Sequence, residues 1–243
     1  MKRSTKKIID LVRQLKPNVR IAVGGYDPSL APEAYTDNSS GVVDFIVRGE
    51  GEITFREVLR AIEEERGFDH IVGLSYRSGD RFYHTQDRPV NGLESGEIKL
   101  PNRDARVLKG YTILGRPVDV IETSRGCTYD CGFCSIIEMR GRNFHTYTFD
   151  RVVADIRDAH EHGARAIFIV DDNITLNVHR FEALCQAIIE AKLNDIEYLV
   201  QGMTSAIANH GATLAPLMSK AGFKYVFLGI ENILEGEIGR AHV

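Results

Sequence analysis

RGCTYDCGFC, Arg125–Cys134, places three cysteines within eight residues, and the chain holds only one more, Cys185. The run just before it, VDVIE (Val118–Glu122), reads as a β-strand. The thiols therefore sit on a loop at a strand's C-terminal end. Three thiolates with no fourth nearby are one ligand short of a closed metal site, and an open position is what binds and activates a small ligand.

Composition narrows the setting. The chain has 243 residues, 43% of them hydrophobic and 26% charged, which is enough for one large or two small domains with real cores. A net charge of −4 gives neither a nucleic-acid footprint nor a membrane-seeking surface. Apolar runs such as AIFIV (Ala166–Val170) are strand-sized and far too short to span a bilayer. The basic start MKRSTKKIIDLVRQLK has no continuous apolar stretch or cleavage site, so it is not read as a signal peptide. The expectation is a cytoplasmic protein whose thiols stay reduced, which favours a metal or cluster over a disulfide.

Outward from the cysteine loop, strands and helices alternate, as in a parallel α/β sheet. Towards the N-terminus, Ile8, Leu11, Val12 and Leu15 fall at helical spacing, followed by the strand RIAVGG (Arg20–Gly25). VVDFIVRGEGE (Val42–Glu52) reads as a strand running into a Gly-rich turn, and Glu52–Glu64 as a helix. IVGLSYRSGDRFYHT (Ile71–Thr85) carries two alternating runs around Ser-Gly-Asp, a hairpin signature. Residues 88–117, rich in Pro, Gly, Asn and charge, read as a linker between residues 1–87 and 118–237.

Beyond the loop, Thr148 is a candidate N-cap for a helix from about Phe149. AIFIV then ends in Asp171-Asp172-Asn173, and in the next helix Phe181, Leu184, Cys185 and Ile188 share a face. IEYLVQG (Ile196–Gly202) and KYVFLGIEN (Lys224–Asn232) supply two further strands, with a helix around Leu214–Ala221 between them. Ligands of such folds gather at the C-terminal strand ends. The cysteines, Asp171–Asn173, Gln201 and Glu231 all fall there.

CTYDCGFC is a CxxxCxxC with Phe133 just before its last cysteine. It resembles the cluster-binding loop of the radical S-adenosylmethionine (SAM) enzymes. The resemblance implies a partial (β/α) barrel in which Cys127, Cys131 and Cys134 hold a [4Fe-4S] cluster and Phe133 packs near the SAM adenine. It further implies that SAM chelates the open iron and is cleaved to a 5′-deoxyadenosyl radical. Asp171-Asp172-Asn173 stands where the family usually has Gly-Gly-Glu, whose polar atoms hold the SAM amino group. Glu231 resembles a fourth-strand carboxylate that contacts SAM, and Gln201 is a further candidate contact. The plainer readings are capping residues for the Asp-Asp-Asn stretch, a solvated carboxylate for Glu231, and a buried core residue for Cys185. For the loop, the plainer reading is a zinc knuckle with His145 as fourth ligand.

Ahead of the loop, VGGYDPSLAPE and VDFIVRGEGEIT resemble the second half of the Rossmann-like cobalamin-binding domain that precedes many radical SAM cores. Gly24-Gly25 matches the double glycine that lets backbone approach the cobalamin, since without a Cβ close approach is permitted. The glutamates of RGEGE argue against a phosphate cradle, although Glu52 suits a helix start. The Asp-x-His-x-x-Gly loop that can supply a lower cobalt ligand does not occur ahead of the cysteine loop.

The resemblance thus implies a cobalamin-dependent radical SAM enzyme. An electron would come from a flavodoxin- or ferredoxin-like donor, and a methyl group would pass to an unactivated carbon of a substrate. The rivals are a methylthiotransferase-type radical SAM enzyme, disfavoured because no cysteine precedes Cys127, and a non-catalytic zinc or iron–sulfur module. The chain is also read as a fragment, starting midway through the first domain and ending after four barrel strands. Its last residues, 238–243, match the translation of a sequencing adapter and are set aside as non-native. An edge left open after the fourth strand invites aggregation, so the expectation for the isolated chain is an inactive product.

Overall fold

β-Branched and aromatic runs of four to seven residues alternate with amphipathic stretches along most of the chain, and each run becomes a strand. The computed structural model describes residues 2–36, 43–90, 92–93 and 96–230. It divides into two units, Met1–Asn91 with Glu138–Gly141, and Gly92–Ile137 with Arg142–Val243.

The first unit runs α1 (Lys2–Leu15), β1 (Ala22–Gly24), α2 (Tyr26–Leu30), α3 (Glu33–Thr36), β2 (Phe45–Val47), α4 (Gly51–Glu63), β3 (Leu74–Ser78) and β4 (Arg81–His84). Its sheet has the order β1-β2-β3-β4, with β1 and β2 parallel and the last two joined as an antiparallel hairpin through Gly79. β2 is buried at all three residues, as expected of a strand covered on both faces. Phe45 and Val47 pack with Val58, Ala61, Ile71 and Leu74, while Ile46 packs with Ile9, Tyr35 and Val43. In α1 the periodicity predicted the helix but not its buried side. Ile9 is the residue that enters the core, and Ile8, Leu11 and Leu15 are exposed.

The second unit contains β5 (Thr112–Ile113), β6 (Arg116–Ile121), β7 (Ser124–Arg125), α5 (Ile136–Arg140), β8 (His145–Thr146), α6 (Phe149–Glu161) and β9 (Ala166–Ile169). The last residues of α5 group with the first unit. α7 (Val178–Glu190), β10 (Glu197–Met203), α8 (Thr204–Lys220) and β11 (Phe223–Gly229) follow. The main sheet is ordered β11-β10-β9-β6-β5, parallel from β6 to β11, with β5 antiparallel at the edge. Cross-strand rows alternate between its faces. Ile121, Ile169 and Val200 form one buried row and Ile167 with Tyr198 another, packed with Val152, Ile156, Phe181, Leu184, Cys185, Ile188 and Leu214 of the helices. The rows between them, carrying Val120, Phe168, Leu199 and Tyr225, belong to the opposite face.

Two local expectations are refined. Thr148 is the N-cap of α6, but its carbonyl rather than its hydroxyl meets the helix, accepting the Val152 N–H at 3.1 Å. α8 begins at Thr204, well ahead of the expected Leu214.

Of residues 88–117, read from composition as a linker, 88–91 group with the first unit and 92–117 with the second. The anchor of 92–117 is Arg103, only 2% exposed. Arg103 Nε donates to Asp119 at 2.7 Å, and Nη1 lies 2.7 Å from Asp155 and 2.6 Å from Asp158. Arg106 makes a second ion pair with Asp119 at 2.7 Å. Burial pushes the Asp119 carboxyl up, but hydrogen bonds from Arg106 and Arg103 overcome this and hold it below the usual range. Its contribution to stability is therefore in place above the ordinary carboxylate pKa and is lost as pH falls through the depressed value.

Breaking a buried ion pair from one side strands the remaining charges. Arg103→Ala should cost about 3–5 kcal/mol in urea unfolding, whereas Arg106→Ala, whose side chain is partly exposed, should cost about 1 kcal/mol or less. Equal, small losses for the two variants would show that Arg103 is not the anchor.

Candidate functional site

The parallel strands β6, β9, β10 and β11 all end on one side of the second unit, and the cysteine loop leaves the end of β6. Cys127, Cys131 and Cys134 are each half-buried. A turn in which the Cys134 N–H donates to the Cys131 carbonyl at 2.9 Å closes the CxxC segment. All three cysteines line one cavity of about 240 Å³, together with Phe133, Asp172, Asn173, Gln201 and Met203. Phe133 is 67% exposed, so its ring is presented rather than packed into a core.

The loop is held from the end of β9, one residue after another. Asp171 accepts from Thr123 N–H at 2.6 Å and from the hydroxyls of Thr123 and Ser124 at 2.5 and 2.6 Å. Asp172 accepts the Gly126 N–H at 2.8 Å. Asn173 Nδ2 lies 3.7 Å from Cys127 Sγ and 2.7 Å from Met203 Sδ, while its Oδ1 accepts from Thr175 Oγ1 at 3.2 Å. Thr175 Oγ1 in turn accepts the Met203 N–H at 2.9 Å, so β10 is tied to the same corner. Gly126 has φ +91°, and a Cβ there would collide with the Asn143 carbonyl oxygen. This one glycine is therefore required both by its backbone angle and by its neighbour.

Of the residues expected to hold SAM, the cavity gathers Phe133, Asp172, Asn173 and Gln201. Asp171 differs. It is 1% exposed, its oxygens are occupied by the β6 end, and it is not part of the cavity lining. Burial pushes its carboxyl up, and the hydrogen bonds from Ser124 and Thr123 oppose that shift. Glu231 and residues 238–243 lie outside the described residues. His145 pairs with Arg125 across β7 and β8 and does not line the cavity. Among the described residues, no three His, Cys, Asp or Glu side chains converge as a single metal ion requires. Cys185 is fully buried, and burial pushes its thiol up to about 12, so it stays protonated and belongs to the core.

In the first unit, Gly24 and Gly25 stand at the end of β1. Gly24 packs under the Val47 carbonyl, where a Cβ would sit at 3.3 Å. Gly25 (φ +92°) and Gly49, just past β2 (φ +70°), have open space where a Cβ would be. A cavity of about 140 Å³ lined by Ser29, Arg48 and Gly49 lies in this unit.

The sequence reading missed Thr123, Ser124, Met203 and Arg180. The available signal was Thr-Ser-Arg between an apolar strand and the first cysteine, three polar residues where a buried strand end left them few solvent partners. Among the described residues, no helix is long and apolar enough to cross a membrane.

Residues 121–239 match the Radical SAM superfamily, and residues 2–59 match the B12 binding domain. An uncharacterized methyltransferase of Pyrococcus horikoshii is 30% identical over 227 residues, covering 93% of this chain and 48% of that protein. The hopanoid C-3 methylase of Methylococcus capsulatus is 29% identical over 232 residues, covering 93% and 43%. The chain thus spans less than half the length of either relative. Among solved structures, the radical SAM methyltransferase TsrM of Kitasatospora setae, with cobalamin and a [4Fe-4S] cluster bound, has the same fold. Its TM-score is 0.74 at 19% identity, covering all of this chain and 49% of that one. The cobalamin-dependent enzyme OxsB, with aqua-cobalamin and SAM bound, aligns with a TM-score of 0.67 at 23% identity, covering 94% and 34%.

Two outcomes test this geometry. Under anaerobic native conditions, iodoacetamide should label Cys127, Cys131 and Cys134 and leave Cys185 untouched until the chain is unfolded, read by peptide mass spectrometry. Rapid native labelling of Cys185 would contradict its burial. Gly126→Ala should lower stability by about 1–3 kcal/mol and speed labelling of Cys127 relative to Cys134. Unchanged stability and labelling would show that the backbone there is not constrained.

Proposed function

The chain belongs to the radical SAM superfamily, with a B12 binding domain ahead of the cysteine loop, and from that premise we propose that it acts as a cobalamin-dependent radical SAM methyltransferase. The carrying observation is the cavity at the strand ends, where three half-buried thiols meet an amide, a carboxylate and an exposed aromatic ring with no fourth cysteine nearby.

The donor set fits a [4Fe-4S] cluster. Its ligands are thiols, and each thiolate would hold a different iron, so they need not converge on a point as ligands to one zinc ion must. Cys127, Cys131 and Cys134 would hold three irons and leave the fourth for the amino and carboxylate groups of SAM. When bound, the cluster supplies the electron that cleaves SAM, and cobalamin supplies the methyl group. The rest falls to the protein. Asn173 and Gln201 would orient the polar groups of SAM, Phe133 would cover its adenine, and the strand ends would limit access of water. Asp172 would act through Gly126 by fixing the loop's path. In the first unit, Gly24, Gly25 and Gly49 would let a flat corrin lie close to backbone, a reading supported by the open space at Gly25 and Gly49. A flavodoxin- or ferredoxin-like donor would deliver the electron, and a relative named as a hopanoid C-3 methylase supports a carbon acceptor.

Anaerobic reconstitution with iron and sulfide should give a brown protein with about four irons that releases 5′-deoxyadenosine from SAM with dithionite. Changing any one of Cys127, Cys131 or Cys134 to Ala should abolish both, and Cys185→Ala should change neither. Asn173→Ala should keep the brown colour and weaken SAM binding in calorimetry. A colourless protein that takes up zinc instead would overturn the reading.

A further inference from the structure

Thr123 is the point where the chain leaves β6 for the cysteine loop, and its polar atoms are gripped from two sides. On one side its N–H and hydroxyl donate to Asp171. On the other, its carbonyl accepts from Arg180 Nη2 at 2.8 Å and from the Tyr147 N–H at 3.0 Å, and its hydroxyl oxygen accepts from Arg180 Nη1 at 3.2 Å. Arg180 Nη2 also reaches the Tyr147 carbonyl at 3.2 Å. Thr123, Ser124 and Asp171 are all fully buried.

Such a knot is weak evidence for added stability. Burying the Asp171 carboxylate and half-burying the Arg180 guanidinium carries a desolvation penalty that well-packed apolar side chains would avoid. What it does supply is position. Consecutive residues at the end of β9 meet successive residues of the loop. Asp171 holds Thr123 and Ser124, Asp172 holds Gly126, and the Asn173 amide lies beside Cys127. A shift at Thr123 is passed through three residues to the first thiol, because the intervening chain is itself pinned.

Resting on the cluster-and-SAM reading above, we propose that Thr123 and Asp171 are positioning residues, and that their bond, braced by Arg180, sets where Cys127 stands relative to Asn173 and so how tightly SAM is held. Neither residue is expected to touch iron or SAM. Their effect should therefore appear in SAM affinity and in the cluster's spectrum rather than in iron content.

The test compares wild type, Thr123→Val, Thr123→Ser and Asp171→Asn after anaerobic reconstitution. Val keeps the β-branched shape but deletes the hydroxyl, and Ser restores it. Thr123→Val and Asp171→Asn should load iron to the wild-type level but bind SAM about tenfold or more weakly. The SAM-induced change in the electron paramagnetic resonance spectrum of the reduced cluster should diminish with it, and Thr123→Ser should recover both. Where Asp171→Asn does not fold, Thr123→Val decides, since it keeps the carboxylate and its Ser124 bond. Wild-type SAM affinity per loaded cluster in Thr123→Val, even with a lowered melting temperature, overturns the inference and leaves only a structural role. A wild-type chain that takes up no iron overturns the parent reading and this inference together.

Discussion

Parallel pairing of β6, β9, β10 and β11 is the constraint on which the second unit depends. Parallel neighbours need a return crossover, here a helix each time, and every crossover brings the chain back to the same starting end. Four strand ends are thereby delivered to one side without any long-range instruction beyond the alternation of apolar runs. The chemistry-bearing residues follow from that placement: cysteines after β6, Asp-Asn after β9, Gln201 near the end of β10 and Phe227 near the end of β11. Covering one face of the sheet with α6, α7 and α8 supplies the apolar core, so the strand ends can carry polar groups without losing the fold.

Two buried charge networks serve this scaffold in different ways. Arg103 with Asp119, Asp155 and Asp158 fastens an otherwise irregular segment across β6 and α6. Asp171 with Thr123, Ser124 and Arg180 fastens the start of the cysteine loop. In the first, opposite charges sit in direct contact, so removal of one strands its partners. In the second, the carboxylate and guanidinium meet through Thr123 rather than touching, and burial pulls Arg180 down while Asp171 pushes it back up. That arrangement trades direct ion-pair strength for control over one residue's position.

Most of this architecture was legible in sequence because local patterns specify it. Strand alternation, the hairpin at Ser78-Gly79-Asp80, the apolar face carrying Cys185 and the CxxxCxxC loop are all short-range signals. What escaped depends on long-range contacts. Nothing near Arg103 announces its three carboxylate partners, two of which lie more than fifty residues away, so a stretch rich in Gly, Pro and charge read as linker. Asp171 looked equivalent to Asp172 and Asn173, yet its carboxyl is taken up by Thr123 and Ser124, nearly fifty residues earlier in the chain, while its two neighbours line the cavity. In α1, apolar spacing marks a helix but cannot say which of two adjacent isoleucines the sheet will cover, and it covers Ile9 rather than Ile8.

Alternation of side chains along β10 and β11 explains why the thiol cavity does not end at the strand tips. Gln201 and Phe227 line it and also line a larger cavity of about 460 Å³ on the sheet's other face, with Ile113, Phe168, Leu199 and Tyr225. Polar groups are thus confined to the strand ends, and the surface just below them is almost entirely aliphatic and aromatic. Under the proposed function this gradient has a chemical use. An apolar floor one strand row away would accommodate the unactivated carbon of a substrate beside the end that would hold SAM. Gln201 pairs with Phe227 across β10 and β11, so one residue pair joins the end that holds charge to the face that repels it.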